Sequence, residues 1–142
     1  MDSKLEIEDY KIEEIPNDNK LFYRIHKVNI DDSVTDEKKK IRPVAFDPQP
    51  KGATEMSVDW CEYSTAEISK NRAKIPEKNG VVSFNSTLVR ANPFPLQVKH
   101  APTLNEHFKN QSHSVIFDVP LRQNDIGIRI KLRDICVWEI LV

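Results

Sequence analysis

Apolar and polar residues alternate over several short stretches of this chain, and a two-residue period predicts strands. The first stretch is residues 21–30, LFYRIHKVNI, which is rich in aromatic and β-branched side chains. One of its faces carries Phe22, Arg24, His26, Val28 and Ile30; the other carries Leu21, Tyr23, Ile25 and Lys27. The pattern leaves open which face is the inner one. If it is the first, a guanidinium and an imidazole are partly buried and must find partners. Residues 56–60, MSVDW, read as a second strand, and residues 81–89, VVSFNSTLV, as a third that could pass into a helical turn near Leu88-Val89-Arg90. Pro93 and Pro95 close it off. Residues 96–100 and 113–119 alternate in the same way. The first of these pairs His100 with the apolar face of Leu96 and Val98, the second pairs His113 with Val115, Phe117 and Val119.

Helical signals are fewer. Ser64-Thr65-Ala66-Glu67 has the form of a capping box, with Ser64 as the cap, and predicts a short helix to about Ala73, ahead of Pro76. Residues 126–133 fit two elements. Ile126, Ile128, Ile130 and Leu132 alternate with Gly127, Arg129, Lys131 and Arg133, as in a half-exposed strand. Alternatively Asn124 or Asp125 caps a helix running to about Cys136, followed by a last strand over 137–142. Residues 31–42 form a charged connector. Residues 43–52 carry three prolines and a glycine and predict an ordered loop without regular structure, anchored by Phe46. Residues 1–19 are acidic and read as a loosely attached arm, closed by the turn Pro16-Asn17-Asp18-Asn19. No repeat is visible. The expected fold is a single α+β domain over 20–142, with a mostly antiparallel sheet and one or two short helices.

Composition narrows the function classes. A chain of 142 residues with 39% hydrophobic content can bury one core. Its 21 basic and 22 acidic side chains leave a formal charge of -1. No global field then draws it to nucleic acid or membrane. The acidic N-terminus has no apolar signal region and no window reaches the roughly 18 apolar residues of a span, so no membrane association and a cytoplasmic location are expected. Cys61 and Cys136 have no CxxC or zinc spacing and are expected to be packed, reduced thiols.

The candidate chemistry lies between the strands at 96–100 and 113–119. Pairing them antiparallel predicts that His100 and His113 converge at the mouth of the loop that holds His107. Histidine exchanges protons near neutral pH, and two facing a phosphodiester can serve as base and acid in turn. An arginine beside them stabilises developing charge; Arg24, Arg90 and Arg122 are candidates. Arg24 with His100 and His113 is the catalytic set expected here, with His26 and His107 as further substrate contacts. The competing reading has both histidines as strand-end residues bonded to loop backbone. His100, His107 and His113 lack the compact spacing of a metal motif, so no metal site is expected. No GxSxG elbow supports a serine triad, and three glycines cannot build a phosphate or dinucleotide loop. Nothing identifies a cofactor. Phe108, beside Lys109, is the one residue placed to stack on a base.

The order Phe22-Tyr23-Arg24-Ile25, Ala45-Phe46, Met56-Ser57-Val58-Asp59, Val98-Lys99-His100-Ala101-Pro102, Asn110 and Ser112-His113-Ser114 resembles a set of short bacterial proteins with no assigned activity. These run from an arginine-bearing strand through an AF loop and an LSVD strand to HxP and NxxH. The resemblance spans most of the chain from residue 21. It implies that Arg24, Ser57, Asp59, His100, Asn110 and His113 belong together, with Ser57, Asp59 and Asn110 as substrate contacts, and that the C-terminal segment is helix rather than strand. Arg90-Ala91-Asn92 and Gln111-Ser112-His113-Ser114 are also similar to the two halves of the RANQGHS motif of ADP-ribosyl-transferring folds, including RNA 2'-phosphotransferases. Here eighteen residues separate the halves. That likeness implies NAD or a 2'-phosphate as ligand, touched by Arg24 and His113.

Two functions are therefore carried forward. One is an enzyme acting on a nucleotide, an RNA phosphodiester or NAD. The other is a non-catalytic, protein-binding module of a bacterial toxin–antitoxin or defence system. A concave pocket holding Arg24 and both histidines favours the first; a flat apolar patch favours the second.

Overall fold

Strand β1 (Lys20–His26) is central to the sheet because both of its edges are paired. In this computed structural model, which describes residues 10–48, 54–104, 109–119 and 126–142, it lies between β2 (Met56–Trp60) and β3 (Asn79–Asn85). Strand β4 (Gln97–His100) precedes a small hairpin, β5 (Thr103–Leu104) and β6 (Lys109–Asn110), which pairs outside the main sheet. Then come β7 (His113–Phe117) and, last in the chain, β8 (Val137–Ile140). The main sheet runs β4-β7-β2-β1-β3-β8, every neighbour antiparallel. Among the described residues three α-helices accompany it, α1 (Ala66–Asn71), α2 (Ser86–Arg90) and α3 (Gly127–Ile135). The expected α+β class and antiparallel sheet are what is found.

The face left open by the β1 pattern is settled by packing. Leu21 and Ile25 are fully buried, joining Met56, Val58, Trp60, Phe84 and Ile116 in the main core. Tyr23 stacks on Phe46 with centroids 5.9 Å apart, and Phe84 meets Phe46 edge-on at 6.0 Å. Each such pair contributes about 1 kcal/mol beyond its buried area. Burial, aided by the Asp47 charge, pushes the Tyr23 phenol well above its ordinary range, and its hydroxyl donates to Ala45 O. The opposite face carries Phe22, Arg24, Ser57, Asp59 and His113. Helix α1 covers part of it.

Several boundaries differ from expectation for local reasons. The 43–52 segment was expected to lack regular structure, but Pro43–Phe46 forms a 3-10 turn because Pro43 fixes φ at its first position. The cap of α1 is Thr65, which accepts from Ile68 N at 3.2 Å, whereas Ser64 turns inward to Ser69. Over 127–135, by contrast, the helical alternative is the one that forms, followed by the last strand as expected. Ile128 and Leu132 share its buried face, while Ile126 and Ile130, which a strand would bury beside them, stay 49% and 38% exposed. Arg129 is buried in an ion pair with Asp47 at 2.8 Å, which ties α3 to the 43–46 turn. The Asn124 and Asp125 caps lie outside the described residues.

Part of the arm expected to be loose is attached: Glu13 N donates to His100 Nδ1 at 3.0 Å, while residues 1–9 lie outside the described residues. Ile15 is buried in the core, and Ser86 donates to Pro16 O at 2.7 Å. Among the described residues no helix is long and apolar enough to cross a membrane.

Gly80 allows β8 to close on β3. A Cβ there would stand 2.5 Å from Ile140 O and 2.8 Å from Val142 N, so the β8 backbone would have to move. Gly80→Ala should lower stability by about 1–3 kcal/mol in urea unfolding. The two thiols are free, Cys61 half-buried and Cys136 buried, and burial pushes the Cys136 thiol up to about 11. Raising that value depletes the thiolate. At about pH 8 a disulfide reagent should titrate Cys61 quickly and Cys136 only as the chain unfolds.

Candidate functional site

The β1–β2 ladder is short. Leu21 faces Trp60 and Phe22 faces Asp59, and there the pairing ends, although both strands continue. Beyond that point a cleft of about 210 Å³ opens, lined by Phe22, Arg24, Ser57, Val58, Asp59, Asn110 and His113. Period two on β1 puts Phe22 and Arg24 on its floor, and on β2 it puts Ser57 and Asp59 there. His113 arrives from β7, where it faces Asp59 across the ladder. Asn110 is delivered by β6, above the sheet.

Asp59 organises this group although it is only 4% exposed. Ser69 Oγ donates to Oδ2 at 2.7 Å, and Asn110 Nδ2 donates to Oδ1 at 2.8 Å. The Ser112 hydroxyl lies 3.1 Å from the same Oδ1 and also against Asn110 Oδ1, so its single proton is shared between two acceptors. Arg24 Nη1 stands 3.7 Å from Oδ2 and donates to Ser69 O at 3.1 Å. A buried carboxylate costs several kcal/mol of lost hydration, which these donors offset. The Arg24 side chain is 37% exposed. Its Nη1 makes these contacts, and the side chain lines the cleft.

Hydrogen bonding fixes the tautomer of neutral His113. Its Nδ1 lies 2.7 Å from Ala101 O, and a carbonyl can only accept, so Nδ1 carries the proton. Nε2 then offers a lone pair to Ser57 Oγ at 3.2 Å. The result is a hydroxyl donating to an imidazole in an open cleft, beside a guanidinium.

His100 is elsewhere. It faces Ser114 in the β4–β7 ladder, so His113 is one step out of register with it and points to the other side of the sheet. The expected convergence of the two histidines is therefore corrected: pairing is antiparallel as expected, but the parity of the register separates the rings. His100 is 1% exposed, its ring against Trp60 and Tyr63 with centroids 5.2 Å and 5.9 Å away. Nδ1 accepts from Glu13 N at 3.0 Å, which makes Nε2 the donor to Gln111 O at 2.6 Å. His100 thus clasps the arm, helped by the Tyr63 hydroxyl on Glu13. That carboxylate raises the Tyr63 phenol above its ordinary range.

His26 shares the Arg24 face but caps the turn after β1, accepting from Val28 N at 2.9 Å, and does not line the cleft. Arg90 binds the arm through Ile15 O and Asn17. His107, Phe108 and Arg122 lie outside the described residues. Of the six residues grouped by resemblance, Arg24, Ser57, Asp59, Asn110 and His113 line one cleft and His100 does not. Sequence reasoning missed the Ser57–His113 bond, since only the β2–β7 register brings residues 56 apart into contact. It also missed Ser69 and Ser112, which no local pattern marks as partners of Asp59. No group of three or more His, Cys, Asp or Glu that could hold a metal occurs among the described residues.

Comparison of the chain with protein-family models, with curated proteins and with solved structures yields no match. Neither resemblance drawn from the sequence gains support there, and the chemistry rests on the cleft itself.

Removing the Asp59 carboxylate would take an acceptor from Ser69 and Asn110 and the counter-charge from Arg24. Asp59→Ala should cost about 3 kcal/mol in chemical denaturation, against less than about 0.5 kcal/mol for the exposed Ser57→Ala.

Proposed function

We propose that this chain is an enzyme acting on a phosphate ester of a nucleotide, RNA or NAD, with Arg24 holding the phosphoryl oxygens and His113 moving the proton. One observation carries the reading: His113 is anchored through Nδ1 so that its basic Nε2 faces the cleft into which Arg24 projects. A guanidinium offers parallel N–H donors that match a phosphoryl group. An imidazole whose unprotonated nitrogen faces a hydroxyl is the ordinary means of taking a proton from it near neutral pH. The acid–base pair first expected reduces to a single histidine, which must take and return the same proton. Asp59 is a support rather than a reactant, because its oxygens are occupied by neighbouring donors. Asn110 orients Asp59 and borders the cleft.

The second reading, a partner-binding module, draws on the far edge of the sheet. There, among the described residues, β8 pairs on one side only, and Val137, Leu141 and Val142 are 57%, 58% and 42% exposed.

The test is turnover of NAD, cyclic dinucleotides and total RNA by the purified chain, His113→Ala and Arg24→Ala. The wild type should consume at least one of the three. His113→Ala should be slower by about 10²–10⁴-fold. Arg24→Ala should lose about 10²-fold or more in kcat/KM. An inert wild type, or a His113→Ala variant as active as the wild type, would overturn the enzymatic reading and leave the binding module.

A further inference from the structure

Among the described residues Ser57 is the serine that lines the cleft, and its neighbours Ser69, Ser112 and Ser114 are spent. Ser69 and Ser112 donate towards the Asp59 carboxylate, and Ser114 donates to Ser112 O at 3.0 Å. All three are buried. Ser57 differs on both counts: it is exposed, and its hydroxyl bonds to an imidazole rather than to a carboxylate or carbonyl. With Nδ1 of His113 committed to Ala101 O, the Ser57 proton must point at Nε2 in the neutral ring. A hydroxyl is a poor nucleophile until a positioned base removes that proton.

From this geometry we infer that Ser57 is itself a catalytic nucleophile, forming a covalent phosphoseryl intermediate with a phosphodiester bound at Arg24. The inference rests on the proposed phosphate-ester activity and adds what attacks phosphorus. In the first step His113 Nε2 takes the Ser57 proton, the Oγ–P bond forms and the P–O bond to the leaving alcohol breaks. That alcohol departs with the proton from Nε2. In the second step His113 takes a proton from water, the water oxygen attacks phosphorus and the P–Oγ bond breaks. Ser57 then recovers its proton from Nε2. Atoms and charges balance with water as the only co-reactant. Arg24 offsets the charge on the non-bridging oxygens in both steps.

The features of the cleft fit this division of labour. The carbonyl of Ala101 fills the orienting place that a carboxylate has in a serine triad, so it fixes the ring but brings no full charge to the imidazolium. Asp59 cannot take that place, since its oxygens face Ser69 and Asn110. A volume of about 210 Å³ suits a phosphoryl group with its ester arms outside, rather than a whole buried nucleotide.

Two probes test the assignment. Diisopropyl fluorophosphate reports nucleophile and base directly, because Oγ–P forms, P–F breaks, fluoride leaves and His113 receives the proton. The expected result is one diisopropylphosphoryl group on the Ser57 peptide by mass spectrometry, absent in Ser57→Ala and in His113→Ala. Bis(p-nitrophenyl) phosphate has no hydroxyl of its own to act as internal nucleophile. The wild type should hydrolyse it, and Ser57→Ala should do so at least about 10²-fold more slowly. Unchanged thermal unfolding of Ser57→Ala would show that the loss is not one of folding. Labelling elsewhere, no labelling, or equal hydrolysis by Ser57→Ala would overturn the inference. If RNA or NAD is still turned over equally by wild type and Ser57→Ala but not by His113→Ala, only the Ser57 role falls. The base would then act on a hydroxyl of the substrate or on water. If no substrate is turned over, both readings fall.

Discussion

Asp59 is a carboxylate removed from water on a sheet strand, and burial of that kind is sustained only where donors replace the lost hydration. Here the donors come from three separate places in the chain. Ser69 is on α1, Asn110 on β6, and Arg24 on β1. One buried charge therefore fixes the position of a helix, a hairpin and a guanidinium relative to β2. Ser57, two residues away, shares that strand face and bonds to His113 rather than to Asp59.

The sheet is unequal on its two sides. One side is filled by aliphatic and aromatic side chains, with α3 and the 43–46 turn packed over it and Arg129 paired to Asp47 between them. The other side is only partly roofed. The β1–β2 ladder ends after Phe22 and Asp59, so polar groups that would otherwise be sealed between helix and sheet reach solvent. A rigid core beneath a polar patch that the described residues roof only in part is an arrangement that holds side chains in place without burying them.

The two strand histidines illustrate how tautomer follows from partner. His100 takes a backbone N–H at Nδ1, so its proton sits at Nε2; His113 meets a carbonyl at Nδ1, so its proton sits there. In His100 both nitrogens serve the fold, closing the arm over Trp60 and Tyr63. In His113 one nitrogen serves the fold and the other faces the cleft. Similar residues on neighbouring strands thus acquire different work from the parity of a single hairpin.

Periodicity in the sequence was enough for the α+β class and for the strands around residues 21–26, 56–60, 97–100 and 113–117, because alternation reports directly which residues share a sheet face. Local capping chemistry located the start of α1 to within a residue, while its end falls two residues short of the expected Ala73. What periodicity cannot carry is register and partner. Whether Leu21 or Phe22 faces the core, whether Ile126 to Leu132 coil or extend, and whether His100 and His113 meet all depend on contacts with segments distant in the chain. Asp59, Ser69 and Asn110 are likewise joined only through the tertiary fold. The order of residues determined the elements, because their forces act over a few bonds of chain; the cleft was decided by packing, because its groups meet only after the strands have aligned.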